Sequence, residues 1–257
     1  MENQPRFSEQ VAVVAGASEG IGRATVMRLL VEGASVVAIA RDPAKLGALS
    51  EAAPSKDSLV TIAADALLPD CGPSAVEAAT RRFGRLDILV NCVGGSTVIG
   101  NARQPVEQMS DEEWSGMLAF NLQPMFAFTR AAVPAMKRQR AGSIVNLSSV
   151  AWQGRGSTTS AAYAAAKGAV NSFTAQVARE LASWNIRVNA AAPGLALSER
   201  MTAAMAKWPD TQKVAVMARM PLGRASTVEE QAAVICFLAS RDASYVTGVT
   251  IDVGGGV

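Results

Sequence analysis

Apolar residues along this chain come in short unbroken runs, and the runs alternate with stretches of helical spacing. The first run, Val11-Ala12-Val13-Val14-Ala15, leads into a glycine-rich segment and then a helical pattern through Leu29, Leu30 and Glu32. Similar runs recur at Ser35 to Ala40, Leu59 to Ala63, Leu86 to Val90, Ile144 to Leu147, Ile186 to Ala190 and Val249 to Val253. Runs without polar alternation suit strands covered on both faces, as in a parallel sheet under helices. Between them the pattern predicts a helix from Pro73 to Arg82 and one announced by the capping-box pair Ser110 and Glu113. A separate helix from Pro124 to Lys137 follows, bent at Pro134, then an alanine-rich helix around Tyr163. The pair Thr227 and Glu230 opens a last helix through Leu238. No internal repeat or low-complexity linker interrupts the alternation. The expected fold is α/β, a single right-handed, doubly wound parallel sheet of seven strands with helices on both faces, forming one domain over residues 1–257.

Composition narrows the function classes. With 257 residues, 49% of them hydrophobic, the chain can bury one substantial core. A formal net charge of +2, without a basic run beyond Lys137-Arg138-Gln139-Arg140, offers no surface that tracks a phosphate backbone, so no nucleic-acid partner is expected. The first residues lack the basic and apolar regions of a signal peptide and no apolar run reaches membrane-spanning length; a cytoplasmic protein without a membrane partner is the expectation. The 3 cysteines, Cys71, Cys92 and Cys236, are far apart, and histidine is absent. That argues against zinc, structural disulfides and any His-based triad, and no metal is expected.

Two stretches carry candidate chemistry. Tyr163 and Lys167 stand four residues apart in Ala161-Ala162-Tyr163-Ala164-Ala165-Ala166-Lys167, so both side chains leave one face of a helix, with the serine pair Ser148 and Ser149 upstream. A phenol normally ionises near pH ~10, and an adjacent ammonium favours the phenolate, giving an acid or base usable near neutrality. The alternative for the pair alone is an ordinary amphipathic helix. Gly16-Ala17-Ser18-Glu19-Gly20-Ile21-Gly22 lies between a strand and a helix, where glycines admit a pyrophosphate and helix N-terminal amides stabilise its charge. A tight turn is the alternative there.

Together these residues resemble the short-chain dehydrogenases/reductases of the shorter, roughly 250-residue type, over nearly the whole chain. The family's TGxxxGxG loop has its counterpart in Ala15 to Gly22, its NNAG segment in Asn91-Cys92-Val93-Gly94, and its YxxxK in Tyr163 to Lys167. Ser149, Asn121 and the Pro193-Gly194 pair fall in matching order, while Ala15 and Cys92-Val93 depart from the pattern. The resemblance implies a Rossmann-like fold and hydride transfer between a nicotinamide dinucleotide and a small carbonyl or alcohol. It implies Tyr163 as general acid/base, Ser149 polarising the carbonyl oxygen, Lys167 lowering the tyrosine pKa and gripping the nicotinamide ribose, and Asn121 holding a relay water. It also implies a dinucleotide site of Gly16, Ser18, Gly20, Ile21 and Gly22 with Arg41, Asp65, Asn91, Gly94, Tyr163, Lys167, Pro193, Gly194 and Ser198.

Asp65 would face adenine, Asn91 would flank the ribose or fix the sheet, and Ser198 would meet the carboxamide. Arg41, after Ala40 in the position where NAD-binding relatives carry an acid, points to NADP(H) over NAD(H), with NAD(H) possible. Asp42 should turn away before Pro43, and Glu19 would weaken a phosphate site. Residues 195–222, with Met201, Met205, Trp208, Met217 and Met220, read as a substrate lid, whose methionines either line the site or pack the lid down. Trp152, Gln153 and Arg155 are candidates for the pocket mouth. Relatives pair the tyrosine helix and the one before the serine strand across two-fold axes, so a homotetramer is expected. Two alternatives stay open: reduction of a 3-oxoacyl chain on an acidic carrier protein meeting Lys137, Arg138, Arg140 and Arg179, and a dinucleotide-binding sensor or scaffold without turnover.

Overall fold

The seven apolar runs become seven parallel strands, the central ones buried from both sides and the edge strands half-buried. A computed structural model describes residues 5–101, 103–154 and 159–257. The strands are β1 (Val11–Ala15), β2 (Ser35–Ala40), β3 (Leu59–Ala63), β4 (Ile88–Asn91), β5 (Gly142–Leu147), β6 (Ile186–Pro193) and β7 (Thr250–Val253). They form one sheet in the order β3-β2-β1-β4-β5-β6-β7, every pairing parallel.

Helices follow the strands: α1 (Gly20–Val31), α2 (Pro43–Ala52), α3 (Cys71–Phe83), α4 (Asp111–Gln139), α5 (Ala161–Leu181), α6 (Glu199–Ala206), α7 (Asp210–Met217) and α8 (Val228–Ala239). The period-two geometry of a strand divides each apolar run between two cores. Ala12, Val14, Val36, Ala38, Ile88 and Val90 pack with Leu29 of α1, Leu49 of α2 and Ile235 of α8. Val11, Val13, Val37, Ile39, Leu89 and Ile144 pack on the opposite side with Ala75 of α3, Phe128 of α4 and Leu181 of α5.

The structure corrects two expectations. The helix opened by Ser110 and the one expected from Pro124 are a single helix, α4, of 29 residues with both Pro124 and Pro134 inside it. Proline removes a backbone donor, but Met117, Asn121, Met125, Phe128, Ala132, Ala135 and Met136 keep one face buried along the whole length. Continuous tertiary packing outweighs the local breaks. Strand four begins at Ile88 rather than Leu86, because the buried Asp87 carboxylate accepts from the Val11 amide at 2.9 Å and from Arg85 at 2.7 and 2.8 Å. Pro43–Ala52 forms a helix that the pattern did not signal, with the Asp42 side chain capping it by accepting from the Ala44 and Lys45 amides. That cap turns Asp42 away from the end of β2.

Candidate active site

At the centre of the sheet the chain leaves β1 toward one side and enters β4 from the other, and the crevice above these strand ends is where an open α/β sheet offers a ligand site. A cleft of about 390 Å³ crosses the strand ends there. Its floor runs from Arg41 and Asp65 after β2 and β3, past the Gly16–Gly22 loop, to Ser149, Tyr163 and Lys167. Pro193, Gly194 and Ser198 form its wall after β6.

Backbone geometry fits a dinucleotide here. A Cβ built on Gly22 would stand 2.0 Å from the Gly16 carbonyl oxygen, so only glycine lets α1 start against the β1 turn. The Glu19 side chain makes no capping bond to α1, leaving the first-turn amides of Gly20, Ile21 and Gly22 to receive an anion. Gly94 has φ 148°, and a Cβ there would meet Asn121 Oδ1 at 2.6 Å and Lys167 Nζ at 3.1 Å. The missing side chain thus opens the space in front of Lys167. No metal-binding group of His, Cys, Asp or Glu occurs among the described residues.

The i, i+4 spacing on α5 delivers Tyr163 and Lys167 to one face, as the alanine-rich sequence predicts. Lys167 is 3% exposed, its Nζ donates to the Leu147 carbonyl at 2.8 Å and lies 5.7 Å from the Tyr163 ring centroid. Burial pulls its ammonium pKa down to about 8. The Tyr163 phenol is raised above its ordinary value, first by burial, while the Ser149 hydroxyl and the Arg200 guanidinium act the other way. The ammonium-driven lowering expected from sequence is therefore not the dominant influence: desolvation exceeds it, and the charge acting on the phenol is Arg200. Ser149 Oγ accepts from the Ala151 amide at 3.2 Å and donates to the Pro193 carbonyl at 3.4 Å. Both serines border the cleft, but Ser148 is buried and donates to the Lys167 carbonyl, so Ser149 carries the more accessible hydroxyl.

Other expected residues sit differently. Asn121 lies behind the cleft, where its Oδ1 accepts from the Gly95 amide at 2.9 Å and its Nδ2 donates to the Met117 carbonyl at 2.9 Å. The Asn91 side chain is not part of the cleft lining. Its Nδ2 donates to Asn146 Oδ1 at 2.8 Å and to Thr129 Oγ1 at 3.3 Å, so it ties β4 to β5 and α4. Ser198 Oγ accepts from the Met201 amide at 3.2 Å as the N-cap of α6. Asp65 Oδ1 accepts from the Leu67 amide at 3.0 Å beside the cleft. Arg41 is exposed at the cleft and makes no salt bridge among the described residues. Glu19 pairs with Lys45, so its charge is not left facing the Arg41 end. Burial pushes the Cys92 thiol up to about 12, which keeps it an unreactive thiol beside the loop.

Of the lid methionines only Met201 lines the cleft; Met220 is buried and packs inward, while Met205 and Met217 do not reach the lining. Trp152 is exposed and Gln153 donates to Asp252, so neither lines the cleft, and Arg155 lies outside the described residues. Sequence reading missed Thr97, Phe120 and Arg200, all of which line the cleft. For Arg200 the available signal was its place two residues after Ser198, the N-cap of α6.

Comparison with known proteins agrees with this geometry. The family model described as Enoyl-(Acyl carrier protein) reductase matches residues 16–257. A 3-oxoacyl-[acyl-carrier-protein] reductase FabG from Thermotoga maritima is 39% identical, over 98% of this chain and 99% of that one. The Short-chain reductase protein NovJ of Streptomyces niveus is 36% identical over 96% of this chain and 94% of its own. A crystal structure of a Short-chain dehydrogenase/reductase SDR:Glucose/ribitol dehydrogenase from Brucella melitensis superposes with a TM-score of 0.86 at 36% identity, covering 98% of each chain. Identity at this level along nearly the whole of each chain, on the same fold, makes this chain a member of the short-chain dehydrogenase/reductase family and an NAD(P)-dependent oxidoreductase.

Proposed function

We propose that this protein reduces a small carbonyl compound, or oxidises the matching alcohol, with NADP(H) as the preferred dinucleotide and NAD(H) as a weaker substitute. The observation that carries the reading is the convergence of Ser149, Tyr163 and Lys167 on one wall of a cleft whose glycine loop accepts a pyrophosphate. When bound, the nicotinamide supplies or accepts the hydride. Tyr163 holds the proton that a carbonyl oxygen needs, and its raised pKa keeps it protonated and ready to donate at neutral pH. The Ser149 hydroxyl orients that oxygen. Lys167, now on the Leu147 carbonyl, holds the dinucleotide ribose, and Asn121 positions the Gly94-Gly95 backbone beside it. Gly16, Ser18, Gly20, Ile21 and Gly22 receive the pyrophosphate, Asp65 and the β4 end flank the adenosine, and Pro193, Gly194 and Ser198 close over the nicotinamide. Arg41 is exposed and makes no salt bridge among the described residues, while Asp42 caps α2 and Glu19 pairs with Lys45, which favours a 2′-phosphate. One catalytic domain with α6 and α7 as its lid, assembled as a homotetramer, completes the proposal.

A second reading makes the substrate a 3-oxoacyl chain on a carrier protein. The names of the Thermotoga maritima relative and of the family model support it. Against it, Lys137 and Arg140 lie over the Trp184 ring at 5.1 and 5.5 Å, which engages two of the basic residues it would use.

The test is steady-state reduction of a panel of ketones, oxo esters and acyl thioesters with NADPH and NADH. Tyr163→Phe should lower turnover by ~10²–10⁴-fold with NADPH affinity nearly kept. Arg41→Ala should weaken NADPH selectively, since a charge-assisted bond to phosphate contributes roughly 1.5–3 kcal/mol. Near-normal kcat in Tyr163→Phe removes the acid assignment, and an equal or better kcat/KM with NADH in the unmutated enzyme removes the cofactor preference.

A further inference from the structure

Among the described residues, Arg200 is the one charged group on the substrate side of the cleft that the proposed hydride-transfer chemistry does not use. It stands in the first turn of α6, after the Ser198 cap, and its Nη1 donates to Thr97 Oγ1 at 3.1 Å across the cleft mouth. Its Nη2 lies 3.9 Å from where a Cβ on Gly95 would be, so the guanidinium rests over the glycine segment that follows β4. Among the described residues no carboxylate forms a salt bridge with it. A guanidinium at the rim of a reaction cleft with only a neutral hydroxyl as partner is a free anion receptor, with further N–H donors in a planar fork.

We infer that Arg200, with Thr97, selects carbonyl substrates that carry a carboxylate close to the reacting carbonyl. The inference rests on the oxidoreductase reading above and adds the substrate class to it. Arg200, Thr97, Ser149 and Tyr163 line one cleft, and the guanidinium lowers the phenol's pKa against the effect of burial. A carboxylate held by Arg200 therefore shares that cleft with the oxygen that Tyr163 protonates. The planar fork matches the two oxygens of a carboxylate, and the Thr97 hydroxyl is free to turn its proton toward one of them. A phosphate dianion fits less well: the other cations of the cleft are Lys167, bonded to the Leu147 carbonyl, and Arg41, at the opposite end. Arg200 is exposed, so its attraction is screened by salt, and the selectivity it gives should fall as ionic strength rises.

The experiment compares acetoacetate and levulinate, each against its methyl ester, by kcat/KM with NADPH at low salt in the wild type, Arg200→Gln and Arg200→Lys. The expected result is at least one acid preferred over its ester by about tenfold or more, in line with a charge-assisted bond. That preference should be lost in Arg200→Gln, partly kept in Arg200→Lys, and reduced by added salt, the acid losing about tenfold more than its ester in Arg200→Gln. Because the side chain is exposed, both variants should melt with the wild type. An ester reduced as well as or better than its acid by the wild type overturns the inference and leaves the oxidoreductase reading in place. So does an equal fall for acid and ester in Arg200→Gln, which would make Arg200 a lid or dinucleotide residue. A strong preference for dihydroxyacetone phosphate over both acids also overturns it. If no substrate is reduced although NADPH binds, the underlying reading fails and the inference with it.

Discussion

Lys167 is held where a lysine is costly: 3% exposed, with one backbone carbonyl as acceptor. Its pKa falls to about 8 in the folded chain, against ~10.4 for a free lysine. Between those values the unfolded chain binds more protons than the folded one, so stability rises with pH across that window. Below pH 8 both states carry the proton and the cost of the buried ammonium is fully present. Tyr163, raised above ~10, acts in the opposite sense: the unfolded chain loses its phenolic proton first, so stability falls once pH exceeds ~10. The net rise is confined to pH 8–10. Lys167→Met should abolish turnover, raise stability near pH 7 by about 1–2 kcal/mol, and flatten the rise. Urea unfolding at pH 7, 8, 9 and 10 measures it. A variant less stable than wild type at pH 7, with an unaltered slope, would show that burial does not govern this lysine. The cleft thus holds a destabilising group, and the two perturbed groups Tyr163 and Lys167 mark the end to which the proposed chemistry is assigned.

Among the elements, α1 depends on one missing side chain. An alanine at position 22 would set its Cβ 2.0 Å from the Gly16 oxygen and 2.9 Å from the Gly16 carbonyl carbon, both backbone atoms that cannot step aside alone. Gly22→Ala should therefore push α1 off β1, cost at least about 2 kcal/mol, and remove NADPH binding even where folding survives. Fluorescence titration with NADPH beside a melting curve separates the two effects, and wild-type affinity in the variant would refute the role of this close approach. That glycine was legible from sequence, as were all seven strands, because apolar runs and glycine spacing report directly on two-sided burial and on turns. The continuity of α4 was not: Pro124 and Pro134 are local breakers, and what overrides them is packing by residues far away in the chain. Asn91 and Arg200 show the same limit at the site. Motif position could not tell that Asn91 turns to Asn146 and Thr129, nor that the first turn of α6 aims Arg200 across to Thr97, since both follow from how neighbouring elements are rotated.

For the molecule as a whole, the strand order gathers the glycine loop, the serine strand and the tyrosine helix at the ends of the central strands, and leaves the outer sides of α4 and α5 facing outward. On α4 that side shows Phe126, 48% exposed, with Arg130 stacked 5.0 Å over its ring. On α5 it shows Ala161, Ala165, Ser172 and Ala175, small residues that let another helix approach closely, followed by Gln176 and Arg179 toward the helix end. A large exposed aromatic beside a helix half with small residues is a surface that a second copy can cover through a two-fold axis, the aromatic meeting the small-residue stretch of its partner. The sequence signal was only that these stretches are apolar; which residues face outward is a matter of helix phase that the structure supplies. A dimer built this way leaves the cleft open, because the cleft lies at the strand ends and not on the outer face of α4. The proposed tetramer should accordingly be seen by light scattering at micromolar concentration. Phe126→Asp, which places a charge in the covered patch while removing nothing from either core, should shift the population to smaller species and keep the melting behaviour of the separated chain cooperative. A stable monomer of the unmutated protein under those conditions would refute the assembly and leave Phe126 as an ordinary exposed side chain.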